Sequence, residues 1–277
     1  MPYGNQPYLS QQQIDAELTT ASGTPTGTGF RTPDAAQASG SAQAAALPSY
    51  LVRHYWWAYV WPPAVWFFDH QPIINAIVCG QYRKLVAGTL DAMTPDGNGH
   101  NLLIASAYGC VVPELADRLD GQPLDVIDVA PIQLSRAEKK LGSDRMARGM
   151  HLSLMNAEHL TYADSTYSRA LMFLLLHELP EDARRRALEE AVRVVRPGGE
   201  LVMAEYGELT RRHPFHRIGL LRWIFGTAEP FLPSLWHQNL DMLMSECAAA
   251  SGKQAVREAK LPIFGGFYRV VRYRITE

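Results

Sequence analysis

A strand-to-helix turn that has lost its glycines most constrains what this chain can fold into. The apolar run Leu102-Leu103-Ile104-Ala105-Ser106 leads into Ala107-Tyr108-Gly109, and a helical pattern starts at Val111. Nineteen residues after Gly109, Asp128 closes a second apolar strand, Leu124-Asp125-Val126-Ile127. An acid about 20 residues past such a turn reads the ribose hydroxyls of a nucleotide-type ligand. Asp128 is therefore the leading binding residue, set against a plain solvated acid after a strand. Glycines at a turn of this kind let the backbone come close to a ligand with positive φ. Ala105 and Ala107 are the smallest replacements. The loop is either an adapted binding loop or a degenerate one.

From residue 101 onward strand and helix patterns alternate. Strands are predicted at Leu102–Ser106, Leu124–Ile127, His151–Met155, Ser168–Leu175 and Glu200–Glu205. Helices are predicted at Val111–Leu119, Pro131–Leu141 and Glu181–Val195, the last stopped by Arg196-Pro197-Gly198-Gly199. A helical insert spans about 212–251, and two closing strands, Glu258–Leu261 and Tyr268–Ile275, follow with no helix between them. This pattern predicts an α/β fold: a mostly parallel seven-stranded sheet, covered on both faces, with an antiparallel edge.

Residues 1–46 are rich in Ser, Thr, Gln, Gly, Ala and Pro, and with so little apolar surface to bury they are predicted to be disordered. Residues 47–99 form an aromatic-rich segment read as two or three helices, with helical spacing from Ile73 to Leu90. A net charge of -2 offers no electrostatic basis for nucleic-acid binding. Three scattered cysteines exclude a disulfide framework and suit a cytoplasmic setting. No apolar run is long enough to span a membrane.

The strand order and several motifs resemble the class I S-adenosylmethionine-dependent methyltransferases over about residues 100–277. Asp128 matches that family's ribose acid. Asn156-Ala157-Glu158 resembles the segment beside the adenine, and Tyr162-Ala163-Asp164-Ser165 the loop before the fourth strand. Leu103 stands where the family has an acid. The resemblance implies a Rossmann-like domain that binds the cofactor through Ala105, Ala107, Tyr108, Gly109, Asp128, Val129, Asn156, Ala157 and Glu158.

A narrower resemblance covers about 47–277. Tyr59, Phe68-Asp69-His70, Asn75, Gly80-Gln81-Tyr82-Arg83, Ala107-Tyr108-Gly109, Asp128 to Leu134 and His177-Glu178-Leu179 look like the rhodoquinone-biosynthesis protein family. It implies conversion of ubiquinone to rhodoquinone, a ring methoxy group being replaced by the amino group of S-adenosylmethionine with the aid of manganese. A conventional methyltransferase acting on a quinone or other lipophilic ring, and a non-catalytic partner in quinone biosynthesis, are the alternatives.

Candidate catalytic residues are His177, Glu205 and Tyr108. His177 follows the fourth predicted strand and Glu205 ends the fifth, both at the ligand-binding edge of such a sheet. His177 serves as a general base or a metal ligand, or as the polar start of a loop. His177 and Glu205 supply nitrogen and oxygen donors that suit manganese better than zinc, although no clustered ligand motif accompanies them. His213 and His216 read as a surface pair. Tyr59, Asp69, His70 and Trp223 are substrate-side candidates. The aromatic segments form either an apolar tunnel for a quinone, resting in part on a membrane surface at the inner face of the cytoplasmic membrane, or the core of a cap.

Overall fold

A computed structural model describes residues 47–94, 99–210 and 213–277. The predicted disordered tail, 1–46, lies outside them. β1 (Asn101–Ile104) and β4 (Tyr167–Phe173) are buried at every position. Strands with no solvent face belong in mid-sheet under helices on both sides, and these two pair in parallel, Leu103 opposite Leu171. The remaining strands are β2 (Leu124–Asp128), β3 (Met150–Leu154), β5 (Val195–Tyr206), β6 (Gln254–Ile263) and β7 (Tyr268–Thr276). Their spatial order is β3-β2-β1-β4-β5-β7-β6. The first five run parallel; β7 lies antiparallel between β5 and β6. The seven-stranded, mostly parallel sheet with an antiparallel edge is as predicted.

Two local departures matter for the site. The predicted fourth strand ends early. Leu174 takes φ 54, and the chain turns into a short 3-10 helix, Leu176–Glu178. His177 therefore sits on a turn beyond the strand end. The turn Arg196–Gly199 also lies within β5. Tyr167 pairs with Val195 and Arg169 with Glu200, so residues 196–199 bulge out of the ladder with Gly198 at φ 79.

The aromatic segment forms five helices: α1 (Ser49–His54), α2 (Trp56–Tyr59), α3 (Pro62–Phe68), α4 (Gln71–Ile77) and α5 (Tyr82–Ala92). The helix expected from Ile73 to Leu90 is broken at Cys79 and Gly80, both with positive φ, where the Gly80 N–H donates to the Asn75 carbonyl at 2.7 Å. Helices α6 (Val111–Leu119), α7 (Pro131–Met146) and α8 (Glu181–Val194) connect the parallel strands. The insert contains α9 (Pro214–Arg217), α10 (Gly219–Ala228), α11 (Leu232–His237) and α12 (Leu240–Ala250). Among the described residues no helix is long and apolar enough to cross a membrane.

At the edge of the sheet away from the strand ends that carry Asp128 and Glu205, the buried Arg169 guanidinium bonds Glu200 at 2.5 Å and Asn101 at 2.8 Å, and also the Thr94 carbonyl. Glu200 in turn accepts from the Thr94 hydroxyl at 2.6 Å. This network ties the end of the cap segment to the start of the sheet.

Candidate functional site

The strand order reverses between β1 and β4, and open α/β sheets bind ligands in the crevice beyond the carboxyl ends of the strands at that point. The loop after β1 borders this crevice. Ala105 adopts φ 69, a conformation usually left to glycine, at a cost of about 1–2 kcal/mol. Gly109 has φ 78, and a Cβ there would stand 2.6 Å from the Tyr82 hydroxyl. That hydroxyl supports the loop from below, donating to the Tyr108 carbonyl at 2.7 Å and accepting from the Val111 N–H at 3.1 Å. The Gly109 N–H donates to Asp69 at 3.0 Å.

Asp128 ends β2 and is almost fully buried. It accepts from the Ser106 N–H at 2.9 Å and the Ala130 N–H at 2.8 Å, joining the loops after β1 and β2. Burial raises it to about 7, against the pull of those backbone bonds. Asp128, Val129, Asn156 and Ala157, at the carboxyl ends of β2 and β3, line one side of a partly open cavity, with Ala105, Ala107 and Tyr108 beside them. The Asn156 side-chain oxygen accepts from the Glu158 N–H at 2.9 Å, which fixes the loop after β3.

The other side of the cavity is lined by His177, Glu178, Tyr206 and Glu229, under the cap residues Tyr55 and Tyr59. His177 Nδ1 lies 2.9 Å from Glu205 Oε1. Burial alone would lower the imidazole, but the Glu205 charge and hydrogen bond, helped by Glu229 and Glu178, carry it up to about 9. Glu205 is held below the usual carboxylate range despite its burial by His177 and by the Tyr206 N–H. The two partners hold each other toward imidazolium and carboxylate, which disposes His177 to donate a proton.

Several expected positions fall elsewhere. Glu158 does not line the cavity: it pairs with Arg186 at 2.7 Å and accepts from the Tyr50 hydroxyl at 2.9 Å. Gly109 spends its N–H on Asp69 and also stays outside. Asp69 pairs with Arg136 at 2.9 Å and with Lys140, clamping the cap to α7. His70 is exposed, its Nδ1 2.7 Å from the Trp66 carbonyl, and Trp223 is 62% exposed on α10. The insert reaches the cavity through Glu229 instead. The Tyr108 ring lines the cavity and stacks on Tyr59 with centroids 5.4 Å apart. Its hydroxyl is spent on the Ala58 carbonyl, and burial raises the phenol well above its ordinary value, so it supplies no proton. His213 and His216 are buried among Phe215, Phe264 and Phe267 rather than on the surface.

Manganese does not fit the expected pair. Glu205 Oε2 takes the Leu176 and His177 N–H groups at 2.7 and 3.3 Å, while Oε1 takes the Tyr206 N–H at 2.7 Å and His177 Nδ1. Neither oxygen is free for a cation, and no cluster of three metal-ligating side chains exists among the described residues.

A sulfonium cofactor does fit. Besides tyrosines, the ionisable side chains lining the cavity are Asp128, Glu178, Glu229 and His177, with no lysine or arginine, and the charge of His177 is balanced by Glu205. Small alanines flank the loop where a cofactor would pass. Sequence reading missed Glu229, Tyr206 and Tyr55, whose burial depends on contacts across the chain, and it treated Glu178 only as a neighbour of His177. It also missed Arg184, which is fully buried and whose hydrogen bonds go to carbonyls and neutral side chains. Arg184 donates to the Leu176 and Leu179 carbonyls at 2.9 and 3.0 Å, and to Gln238, Ser234 and the Phe231 carbonyl. The turn carrying His177 is thereby fixed to the insert.

Residues 102–199 match the methyltransferase-domain family. The ubiquinone/menaquinone biosynthesis C-methyltransferase of Rickettsia felis is 23% identical over 145 residues, which cover 51% of this chain and 58% of that protein. The corresponding Rickettsia akari protein is 27% identical over the same shares. The chain thus spans a little over half the length of these relatives. Among solved structures, the mitomycin 7-O-methyltransferase MmcR superposes with TM-score 0.53 at 15% identity, covering 76% of this chain and 60% of that one. The [4+2]-cyclase SpnF superposes with TM-score 0.51 at 16% identity, covering 76% and 94%. The fold is the Rossmann-like fold of the class I methyltransferases, and the sequence likeness to the methyltransferase-domain family covers 102–199. Because a cyclase shares the architecture, the fold leaves the reaction open.

Proposed function

We propose that this chain is an S-adenosylmethionine-dependent transferase that methylates an oxygenated lipophilic ring of the quinone or quinol class. The observation that carries this reading is a single cavity with Asp128 on one side and His177 on the other. S-adenosylmethionine supplies an electrophilic methyl group on a cationic sulfur. Asp128 takes the ribose hydroxyls, and Val129, Asn156 and Ala157 bound the adenine side. On the reduced, quinol ring His177 donates from Nε2 to a ring oxygen held as its anion, the neighbouring ring carbon takes the methyl and its own proton passes to that oxygen, while Glu205 holds Nδ1–H and keeps the imidazole oriented. The aromatic cap excludes water. The quinone methyltransferases among the relatives support the substrate class.

The exposed Trp57, Trp61, Trp66 and Phe67 of the cap suit a membrane surface from which such a substrate enters. Ile77 is both exposed and part of the cavity wall, which places an opening on the cap side.

One observation favours a second reading, amino transfer from S-adenosylmethionine to ubiquinone as in rhodoquinone formation. Leu103 is fully buried in β1, so that position offers no carboxylate to hold the cofactor's ammonium. A single experiment separates the two: S-adenosylmethionine labelled at both its methyl carbon and its amino nitrogen, incubated with a short-tailed quinone or quinol and followed by mass spectrometry. Methyl label in the ring is the expected result. Nitrogen label in the ring supports the second reading, and neither label overturns the transferase reading.

A further inference from the structure

Two carboxyl groups of the cavity have no role in the scheme above. Glu178 ends the turn after β4, and Glu229 follows α10 in the insert. Each has one oxygen taken by a tyrosine of the cap. The Tyr59 hydroxyl donates to Glu178 Oε1, and the Tyr55 hydroxyl to Glu229 Oε2 at 3.0 Å. Among the described residues, no group bonds the second oxygen of either carboxyl, and neither second oxygen is sealed away from the cavity that both residues line. Each acid thus keeps one oxygen without a hydrogen-bond partner among the described residues.

The surroundings raise both groups above the ordinary carboxyl range. Burial pushes Glu178 up to about 8. His177 pulls against this, while Glu229 and Glu205 add to it. Glu229 is raised too, chiefly by burial. The groups facing Glu178 are Tyr50, Tyr55 and Tyr59 from the cap, Tyr108 from the loop after β1, Glu205 from β5, Glu229 from the insert and His177 beside it. The one cation among them, His177, is already neutralised by Glu205. A protonated carboxyl whose first oxygen accepts from tyrosine has its own O–H left to donate.

We infer that Glu178 and Glu229 grip the oxygens of the bound ring, each donating from the carboxyl oxygen that its cap tyrosine leaves free. The ligand class follows from that chemistry: a ring bearing oxygens that accept hydrogen bonds, not a bare hydrocarbon ring. A donor of this kind is lost when the acid ionises, so ring binding is tied to pH. The inference rests on the proposed function, which it deepens by assigning the recognition of the ring to two residues.

The test uses the full chain and a benzoquinone with a short tail, with affinity read from quenching of intrinsic fluorescence between about pH 6 and about pH 9.5. Calorimetric binding of S-adenosylmethionine serves as the check that each variant is folded. The wild-type affinity is expected to fall about tenfold as pH rises through about 8. The double variant Glu178→Gln/Glu229→Gln keeps two donors that do not titrate and is expected to lose the fall through about 8, while any fall nearer 9 belongs to His177. Glu178→Ala is expected to bind about tenfold more weakly at the acid end. A flat wild-type profile, a fall through about 8 that persists in the double Gln variant, or full affinity in Glu178→Ala overturns the inference while leaving the function intact. If the wild type binds S-adenosylmethionine but no quinone at any pH, the quinone reading falls and the inference with it.

Discussion

Glu205 Oε1 stands 2.9 Å from His177 Nδ1, at the meeting of two strand ends that are 28 residues apart in sequence. The carboxylate is fully buried and accepts three backbone N–H groups besides. It has one orientation available, and so does the imidazole that it holds.

Removing the acid should therefore change the base. In Glu205→Gln the His177 titration is expected to move well below about 9, as read by imidazole proton NMR. The sign for stability follows from the raised histidine value. The pair's contribution is present in full below about pH 6.5 and is lost as pH rises through about 9. His177→Ala is expected to lower kcat by about a hundredfold or more with little change in S-adenosylmethionine affinity.

Asp128→Ala should weaken S-adenosylmethionine by more than about tenfold in a calorimetric titration. Because burial raises Asp128 to about 7, the wild-type affinity should improve as pH rises through that value, since the ionised carboxylate is the better acceptor for ribose hydroxyls. An affinity independent of both would remove Asp128 from the site.

Arg184→Ala strips five hydrogen bonds from the turn after β4 and from the insert. A loss of about 3–5 kcal/mol in urea unfolding is expected. A lower kcat should accompany it, because the turn carries His177.

Gly109→Ala places a methyl group 2.6 Å from the Tyr82 hydroxyl at a backbone φ of 78. A cost of about 1–3 kcal/mol is expected, together with weakened cofactor binding as the loop shifts. Glu200→Ala, at the opposite edge of the sheet, should destabilise the fold while leaving cofactor affinity in the remaining folded protein unchanged.

The sheet was legible because burial on both faces forces continuous apolar runs, which Leu102–Ile104 and Leu124–Ile127 display. Asp128 was legible because its spacing from the turn is set by one helix and one strand. The ring side of the cavity was not. Glu229 and Tyr55 meet across 174 residues, and nothing local in either segment announces that contact. Arg184 looked like one more charge on an amphipathic helix. Asp69 and Glu158 have the residue type of ligand-binding acids, yet their partners turned out to be Arg136, Lys140 and Arg186, which only the packing of the cap could decide.

The cap is held to the sheet edge by Tyr50, Tyr55 and Tyr59, each on a carboxyl from a different loop. With the cap down, burial raises both Glu178 and Glu229 above the ordinary carboxyl range. A cap that lifted would return both to water, where a glutamic acid ionises above about pH 4.3. Opening and proton release are then one event, and ligand entry draws on the acidity of the medium as well as on the ligand's own concentration.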